Sequence, residues 1–403
     1  MTSTTGTTGT QTALLTEPEL RDRIERWAAI EHGSASPGER AVASMLADEL
    51  RGLGLDVRIE EEQVHGGYWL PVGIPTAVAA VAGVIGGAVA FVAGFFGAAA
   101  VADDVNCARF WFRRRFLRRR TTHNVIAELG PADAERTLVF IAHHDAPHAG
   151  IVFHPEIPRG WARRFPKLLA KANTTPPTMW GAFFGPLGVA LGALFGARRL
   201  RLFSALVSAG YAAAMADIGL RSVVAGANDN LSGVAAQMSL ASALAHEPPE
   251  TTRVILLFPG SEESFQEGMH AWWHRHRHEL PRESTLFVNH ETVGSPLLVL
   301  LEGEGMLGIT DYPDDFKRFI RGVADELGIF LYPRLRTRNS SDSLLPLRAG
   351  YKCALFASCD ELKAPTNYHW YTDVPENLHY GTIADMARLS LELTRRLAPA
   401  RPA

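Results

Sequence analysis

From Tyr68 to Ala102 the chain runs for 35 residues without one charged side chain. A water-soluble domain has few ways to bury such a stretch, whereas a bilayer span uses about 20 apolar residues. The segment is long for one helix and short for two complete ones, and Gly83, Gly86 and Gly87 supply a break near its middle. Six arginines follow, Arg113-Arg114-Arg115 and Arg118-Arg119-Arg120. Beside so apolar a segment they read as a juxtamembrane anchor rather than a nucleic-acid patch. A second apolar region runs from Trp180 to Ala197, is interrupted by Arg198, Arg199 and Arg201, and resumes from Leu202 to Ala216, the pattern of a helical hairpin.

The remaining sequence is that of an ordinary globular protein. Forty-three acidic residues against 40 basic ones leave a net charge of −3, too balanced for a nucleic-acid binder led by its charge. A hydrophobic share of 47% excludes a mostly disordered chain. Three cysteines, Cys107, Cys353 and Cys359, are too few and odd in number for a disulfide framework, which points to a reducing compartment. Met1 to Gln11 are mostly Thr, Ser and Gly, with neither the basic nor the apolar region of a signal peptide. Residues 1–16 are expected to form a disordered tail.

Helical spacing of Leu20, Ile24 and Trp27 places a first helix near Glu17, and Ser36-Pro37-Gly38-Glu39 reads as the start of a second, with Ser36 as N-cap and Glu39 three residues on. Leu55 to Ile59 alternates as a strand. Further strands are expected at Asn124–Leu129, Thr137–Ala142, Arg253–Phe258, Thr285–Val288 and Cys353–Phe356, with a helix from Ser232 to His246. Several are continuous apolar runs, as strands buried on both faces are. Strand and helix in alternation imply an α/β fold with a mixed, mostly parallel sheet sandwiched by helices.

Open α/β sheets build their sites at the carboxyl ends of the strands. His143-His144-Asp145 follows the strand ending at Ala142, and Gly226-Ala227-Asn228-Asp229-Asn230 opens the helix that begins near Ser232. Glu262-Glu263 follows Phe258, His290-Glu291 follows Val288, and Tyr368-His369 lies in a late loop. Each piece alone is commonplace: Asp and Asn suit helix starts for local reasons, and paired glutamates are usually solvated. Together they offer two imidazoles and three or four carboxylates after separate buried strands. That is the mixed nitrogen and oxygen donor set a pair of divalent ions needs, with one carboxylate shared between them.

These segments in this order, with Asn289-His290-Glu291-Thr292-Val293-Gly294-Ser295-Pro296 among them, resemble the M28 family of metallopeptidases, the co-catalytic zinc aminopeptidases. The resemblance implies two zinc ions per chain: one held by His143 and Glu291, the other by Glu263 and His369, with Asp229 bridging both. It implies Glu262 as general base, Asp145 as the residue orienting the site, and Tyr368 as hydroxyl donor to the developing oxyanion. Glu291 departs from the Asp that many members carry, which lengthens that ligand by one methylene. Ser341-Asp342-Ser343-Leu344-Leu345 also departs from the family segment and bears on substrate preference.

The resulting expectation is one catalytic domain over 17–400, interrupted by a hydrophobic insert at 69–121 and a hydrophobic hairpin at 151–225. Because the strands flanking the first insert should share one sheet, each insert crosses a membrane an even number of times or not at all. Two hairpins packed as a small apolar bundle satisfy this. The expected protein is a membrane-associated enzyme acting on a peptide or aminoacyl amide, with its catalytic domain in the cytoplasm, no nucleic-acid partner, and homo-oligomers formed through the hairpins if the bundle is buried between subunits. Arg198, Arg199 and Arg201, at the tip of the second hairpin, must cross or snorkel under this reading. The alternatives are a one-zinc aminoacyl cyclase, an amide deacylase of related fold, and a noncatalytic membrane scaffold.

Overall fold

The structure is a computed structural model that describes residues 14–399; most of the segment expected to be a disordered tail, residues 1–13, lies outside the described residues. Leu14 and Leu15, also assigned to that tail, pack on the core, and the Leu15 N–H donates to Ser239 Oγ at 2.9 Å. Chain order gives α1 (Glu17–Ala28), α2 (Pro37–Gly52), β1 (Asp56–Val64), α3 (Trp69–Ile85), α4 (Gly87–Val105), α5 (Trp111–Phe116), β2 (Arg120–Leu129) and β3 (Arg136–Ile141). Next come α6 (Glu156–Arg164), α7 (Pro166–Lys171), α8 (Trp180–Leu194), α9 (Arg198–Leu220), α10 (Ser232–His246), β4 (Thr252–Phe258), α11 (Glu267–His276) and β5 (Thr285–His290). The chain closes with β6 (Leu297–Leu300), β7 (Gly303–Glu304), β8 (Thr310–Asp311), α12 (Asp314–Glu326), α13 (Leu344–Arg348), β9 (Lys352–Cys359) and α14 (Tyr380–Leu397).

Seven strands form one sheet in the order β1-β2-β4-β3-β5-β9-β6. The central four, β4-β3-β5-β9, are parallel, and antiparallel strands close both edges. One face packs Leu46, Leu240, Ile320 and Met386, from α2, α10, α12 and α14, against Phe140 and Phe356. The opposite face packs Met269, Trp272 and Trp273 of α11 against Val139, Ile255 and Phe287. The expected sandwich is therefore present, and its parallel strands point their carboxyl ends at one edge.

Ser36 caps α2 as read from the sequence, its Oγ accepting the Glu39 N–H at 3.1 Å. Glu39 does not return the bond to the cap. Its fully buried carboxylate accepts from the Ala35 N–H at 2.6 Å, Thr122 Oγ at 2.7 Å, the His123 N–H at 3.1 Å and Ser261 Oγ at 3.0 Å. A residue with a local helix-start signature thus ties α2 to β2 and to the turn after β4.

The apolar segments form two hairpins, α3–α4 and α8–α9, that pack against one another. The packing inverts the usual order of a soluble bundle. Inside lie Ala90, Val189, Ala205, Gly94, Gly185 and Ser208, while Val84, Phe203 and Leu206 stand 69%, 65% and 70% exposed. Both hairpin turns meet at one end, because the Arg201 guanidinium lies against Gly86, whose φ of 90° suits the turn between α3 and α4. At the other end, Tyr68, Val105, Phe110, Met215 and Ile218 join Phe265, Met306 and Leu344 in a cluster that fastens the bundle to the α/β body.

The arginine run is not a uniform anchor. Arg113 is fully buried and paired with Asp104 and Glu267, whereas Arg114, Arg115, Arg118, Arg119 and Arg120 are exposed. A guanidinium enclosed by two carboxylates serves the interior and not a bilayer surface, so the anchor reading fails at that position.

Close helix approach in the bundle depends on glycine. A Cβ at Gly94 of α4 would sit 2.6 Å from both the Ala190 nitrogen and the Pro186 oxygen of α8. Gly94→Val is expected to part these helices and cost about 1–3 kcal/mol. Thermal unfolding in detergent checks this, and an unshifted transition would contradict the contact.

Candidate metal centre

The expected site residues converge at the carboxyl ends of the parallel strands. His143 and Asp145 follow β3, Glu262 and Glu263 lie on a single turn after β4, Glu291 follows β5, and Asp229 sits in the turn that opens α10. His369 reaches them from the loop after β9. The backbone bends sharply to present them: Ser261, Phe265 and Gln266 hold φ of 55°, 62° and 55°, and His369 holds 51°. Non-glycine residues rarely adopt this left-handed region, and such positions cluster at functional sites.

Two donor triads share Asp229. In the first, His143 Nε2 lies 3.4 Å from Asp229 Oδ1 and 3.3 Å from Glu291 Oε1. In the second, His369 Nε2 lies 3.1 Å from Asp229 Oδ2 and 3.4 Å from Glu263 Oε1. Each Asp229 oxygen therefore faces a different imidazole. Neighbouring corners of a tetrahedron of zinc ligands, bonded at about 2.0–2.1 Å, are roughly 3.3 Å apart, the spacing seen here. A third grouping, His143 with Glu262 and Glu263, overlaps both.

Charge gives the same result as spacing. Among the described residues, the ion-pair partners of Asp229, Glu263 and Glu291 are imidazoles, with no Lys or Arg. Glu291 Oε2 and His369 Nδ1 have no hydrogen-bond partner, and neither carboxylate oxygen of the buried Asp342 has one. Burying so many carboxylates without cations is costly. Burial pushes Glu262 well above the usual carboxylate range, His143 pulling it back and Glu291 and Asp342 pushing it further up. Glu263 is pushed to about 7, chiefly by burial, with His369 opposing. Burial would lower His369, yet Glu263 and Asp229 outweigh it and hold the imidazole at about 10. Divalent cations would relieve all three, and the donor set fits them.

Asp145 does more than orient an imidazole. Its carboxylate lies 3.4 Å from His143 Nδ1 and accepts the N–H groups of Glu262 at 2.9 Å and Glu263 at 3.1 Å. One side chain thereby fixes three members of the site. Tyr368 stacks on His369 and lines the adjoining cleft, where its hydroxyl accepts from Asn339 Nδ2 at 3.4 Å.

Four participants escape the sequence reading. Ser34 Oγ donates to Asp145 at 2.5 Å, and Gln266 Nε2 donates to Glu262 Oε1 at 2.6 Å. Asp373 accepts the N–H groups of Asn228 at 2.7 Å and Asp229 at 3.2 Å, fixing the turn that carries the shared ligand. Tyr68, at the head of the first apolar segment, stacks on Phe265 and is close enough to Glu263 and Asp229 for their charges to raise its phenol further beyond the effect of burial. Gln266, three residues beyond Glu263, and Asp373, four beyond His369, lay near recognised site residues, but nothing in their local context marked them.

Comparison with known proteins agrees with this architecture. Residues 208–394 match the model of peptidase family M28, so the resemblance read from the motifs is found independently over that part of the chain. The fold is similar to a Zn-dependent exopeptidase from Parabacteroides distasonis, with TM-score 0.55 and 13% identity over 94% of this chain and 97% of that one. It is likewise similar to an aminopeptidase from Aneurinibacillus sp. strain AM-1, with TM-score 0.55 and 13% identity over 95% of each chain. A glutaminyl cyclase from Bacteroides thetaiotaomicron gives TM-score 0.56 and 13% identity over 94% of this chain and 97% of that one. No curated protein matches by sequence.

Proposed function

We propose that this chain, which resembles the zinc exopeptidases of peptidase family M28 in fold and across residues 208–394, is a membrane-associated di-zinc peptidase, an aminopeptidase by preference. The observation that carries the reading is Asp229, whose two oxygens each complete a separate imidazole–carboxylate triad. His143, Asp229 and Glu291 would hold one ion, and Asp229, Glu263 and His369 the other. Zinc bound there would polarise the scissile carbonyl and acidify the attacking water.

The chain's own groups then move the proton. Glu262, held by the Gln266 amide at one oxygen, takes a proton from the water as its oxygen adds to the carbonyl carbon. It returns that proton to the departing nitrogen as the carbon–nitrogen bond breaks, leaving a carboxylate and an amine. Asp145 keeps the Glu262 and Glu263 backbone in place throughout. Tyr368 donates its hydroxyl to the oxyanion.

Membrane association is supported by the inverted bundle. α4 and α9, of 19 and 23 residues, are long and apolar enough to cross a bilayer, and α3 and α8 are shorter. Small residues inside and bulky apolar ones outside are the distribution expected where the surroundings are lipid. Arg198, Arg199 and Arg201 at the shared tip suit the far headgroup region, where long cationic side chains snorkel. A carbonate wash that released the intact protein without detergent would refute this.

The cyclase alternative uses one zinc, so metal content separates the readings. Elemental analysis of the full chain purified in detergent is expected to give two zinc ions. Chelation should abolish hydrolysis of leucyl p-nitroanilide, and added zinc should restore it. A single tightly held ion would favour the cyclase, and a protein that takes up none would favour the scaffold.

A further inference from the structure

The metal centre opens into a cleft far larger than one side chain requires. Glu262, Glu263 and His369 are among its lining, and its volume is about 1400 Å³, whereas ligand pockets commonly fall near 300–1,000 Å³. Its lining is mainly apolar. Tyr68 and Trp180, at the heads of α3 and α8, line it beside the bundle, and Ile157 and Trp161 of α6, Leu168 of α7 and Phe165 between them form a flap. The cleft therefore joins residues of the candidate metal centre to the heads of the apolar helices α3 and α8.

The flap is itself divided. Trp161 and Leu168 line the cleft yet remain 61% and 64% exposed. Between Glu156 and Lys171 stand Arg159, Arg163, Arg164, Lys167 and Lys171 against the single acid Glu156. Apolar rings and leucines interleaved with cations are the composition of a segment that lies in a headgroup layer. Residues 172–179 join the flap to the head of α8, and Pro176, Pro177, Met179 and Trp180 along that connection line the same cleft.

We infer that the site acts on amphiphilic amides: molecules whose scissile bond carries a long alkyl chain, entering from the membrane interface between the flap and the head of α8. This rests on the zinc amidohydrolase chemistry proposed above and names its substrate class. The headgroup end reaches His369 and Glu263, while the chain lies along Trp161, Phe165 and Leu168.

The test uses the full zinc-loaded protein in phosphatidylcholine vesicles with leucyl amides of n-alkylamines, from butyl to dodecyl. The value of kcat/KM is expected to rise at least tenfold across the series. The double change Trp161→Ser, Leu168→Ser should lower the dodecyl-to-butyl ratio at least tenfold, and if that variant fails to fold the series on the unaltered protein decides alone. A flat or falling series with the butyl amide still cleaved overturns the inference and leaves the peptidase reading standing. Failure to cleave any member overturns the inference, and failure on leucyl p-nitroanilide as well, with two zinc ions bound, overturns both.

Discussion

Glu262→Gln is expected to reduce amide hydrolysis by about 10²–10⁴-fold, the range a positioned general base contributes, while both zinc ions stay bound. Glutamine preserves the shape of the side chain and an oxygen to accept from Gln266 Nε2, now 2.6 Å from Glu262 Oε1. It removes the lone pair that receives the proton. The two triads built on Asp229 do not include Glu262, so their donors are untouched.

The same variant decides a point of geometry. Glu262 Oε2 lies 3.9 Å from His143 Nε2, and Glu262 also belongs to the overlapping group with His143 and Glu263. If the glutamine variant loses a zinc ion together with its activity, Glu262 is a ligand and the base must be sought elsewhere. Full turnover in the variant would remove Glu262 from proton transfer altogether. Steady-state rates measured beside elemental analysis separate these outcomes.

The order of the chemistry-bearing residues was legible largely because three of the segments directly follow a run of buried strand, while Asp229 opens a helix and His369 lies in a loop. Phe140 and Ile141 precede His143, Phe258 precedes Glu262, and Val288 precedes Glu291, so sheet topology converts a linear pattern into convergence. The supports were not legible. Ser34 reaches Asp145 across 111 residues, and Asp373 reaches Asn228 across 145, with side chains whose local context is that of ordinary loops. Glu39 shows the opposite failure, since a local helix-start pattern concealed a long-range clamp on β2 and Ser261. In the hairpins, helices apolar all round carry no periodic signal of which face is inside. Only the positions of residues such as Gly94 and Ala90 distinguish the faces, and their meaning depends on the partner helix.

Arg113→Ala is expected to destabilise the folded protein by about 3–5 kcal/mol, because it leaves Asp104 buried without a cation and Glu267 paired only with the His65 imidazole. The guanidinium is fully buried. It binds Asp104 through Nε at 3.1 Å and Nη2 at 2.5 Å, Glu267 through Nη1 at 2.9 Å, and donates to the Ser264 carbonyl at 2.7 Å. Asp104 closes the first hairpin and Ser264 follows Glu262 and Glu263, so one side chain joins the bundle to the candidate metal centre. Burial would raise Glu267, but Arg113 and His65 outweigh it and hold the carboxyl at about 2. A depressed carboxyl contributes stability above its unfolded value near 4.5, and that contribution disappears as pH falls from there toward about 2. Glu267's contribution to the parent's stability should therefore fall through this acid window, and the alanine variant should show less of that fall because most of the contribution is already absent. Urea unfolding at neutral pH and at pH about 4 measures both effects. Arg113→Lys should fall between, restoring the charge without the fork that grips Asp104. An alanine variant within about 1 kcal/mol of the parent at neutral pH would mean that the two acids are not buried against this cation, and the proposed link between bundle and catalytic turn would fall with it.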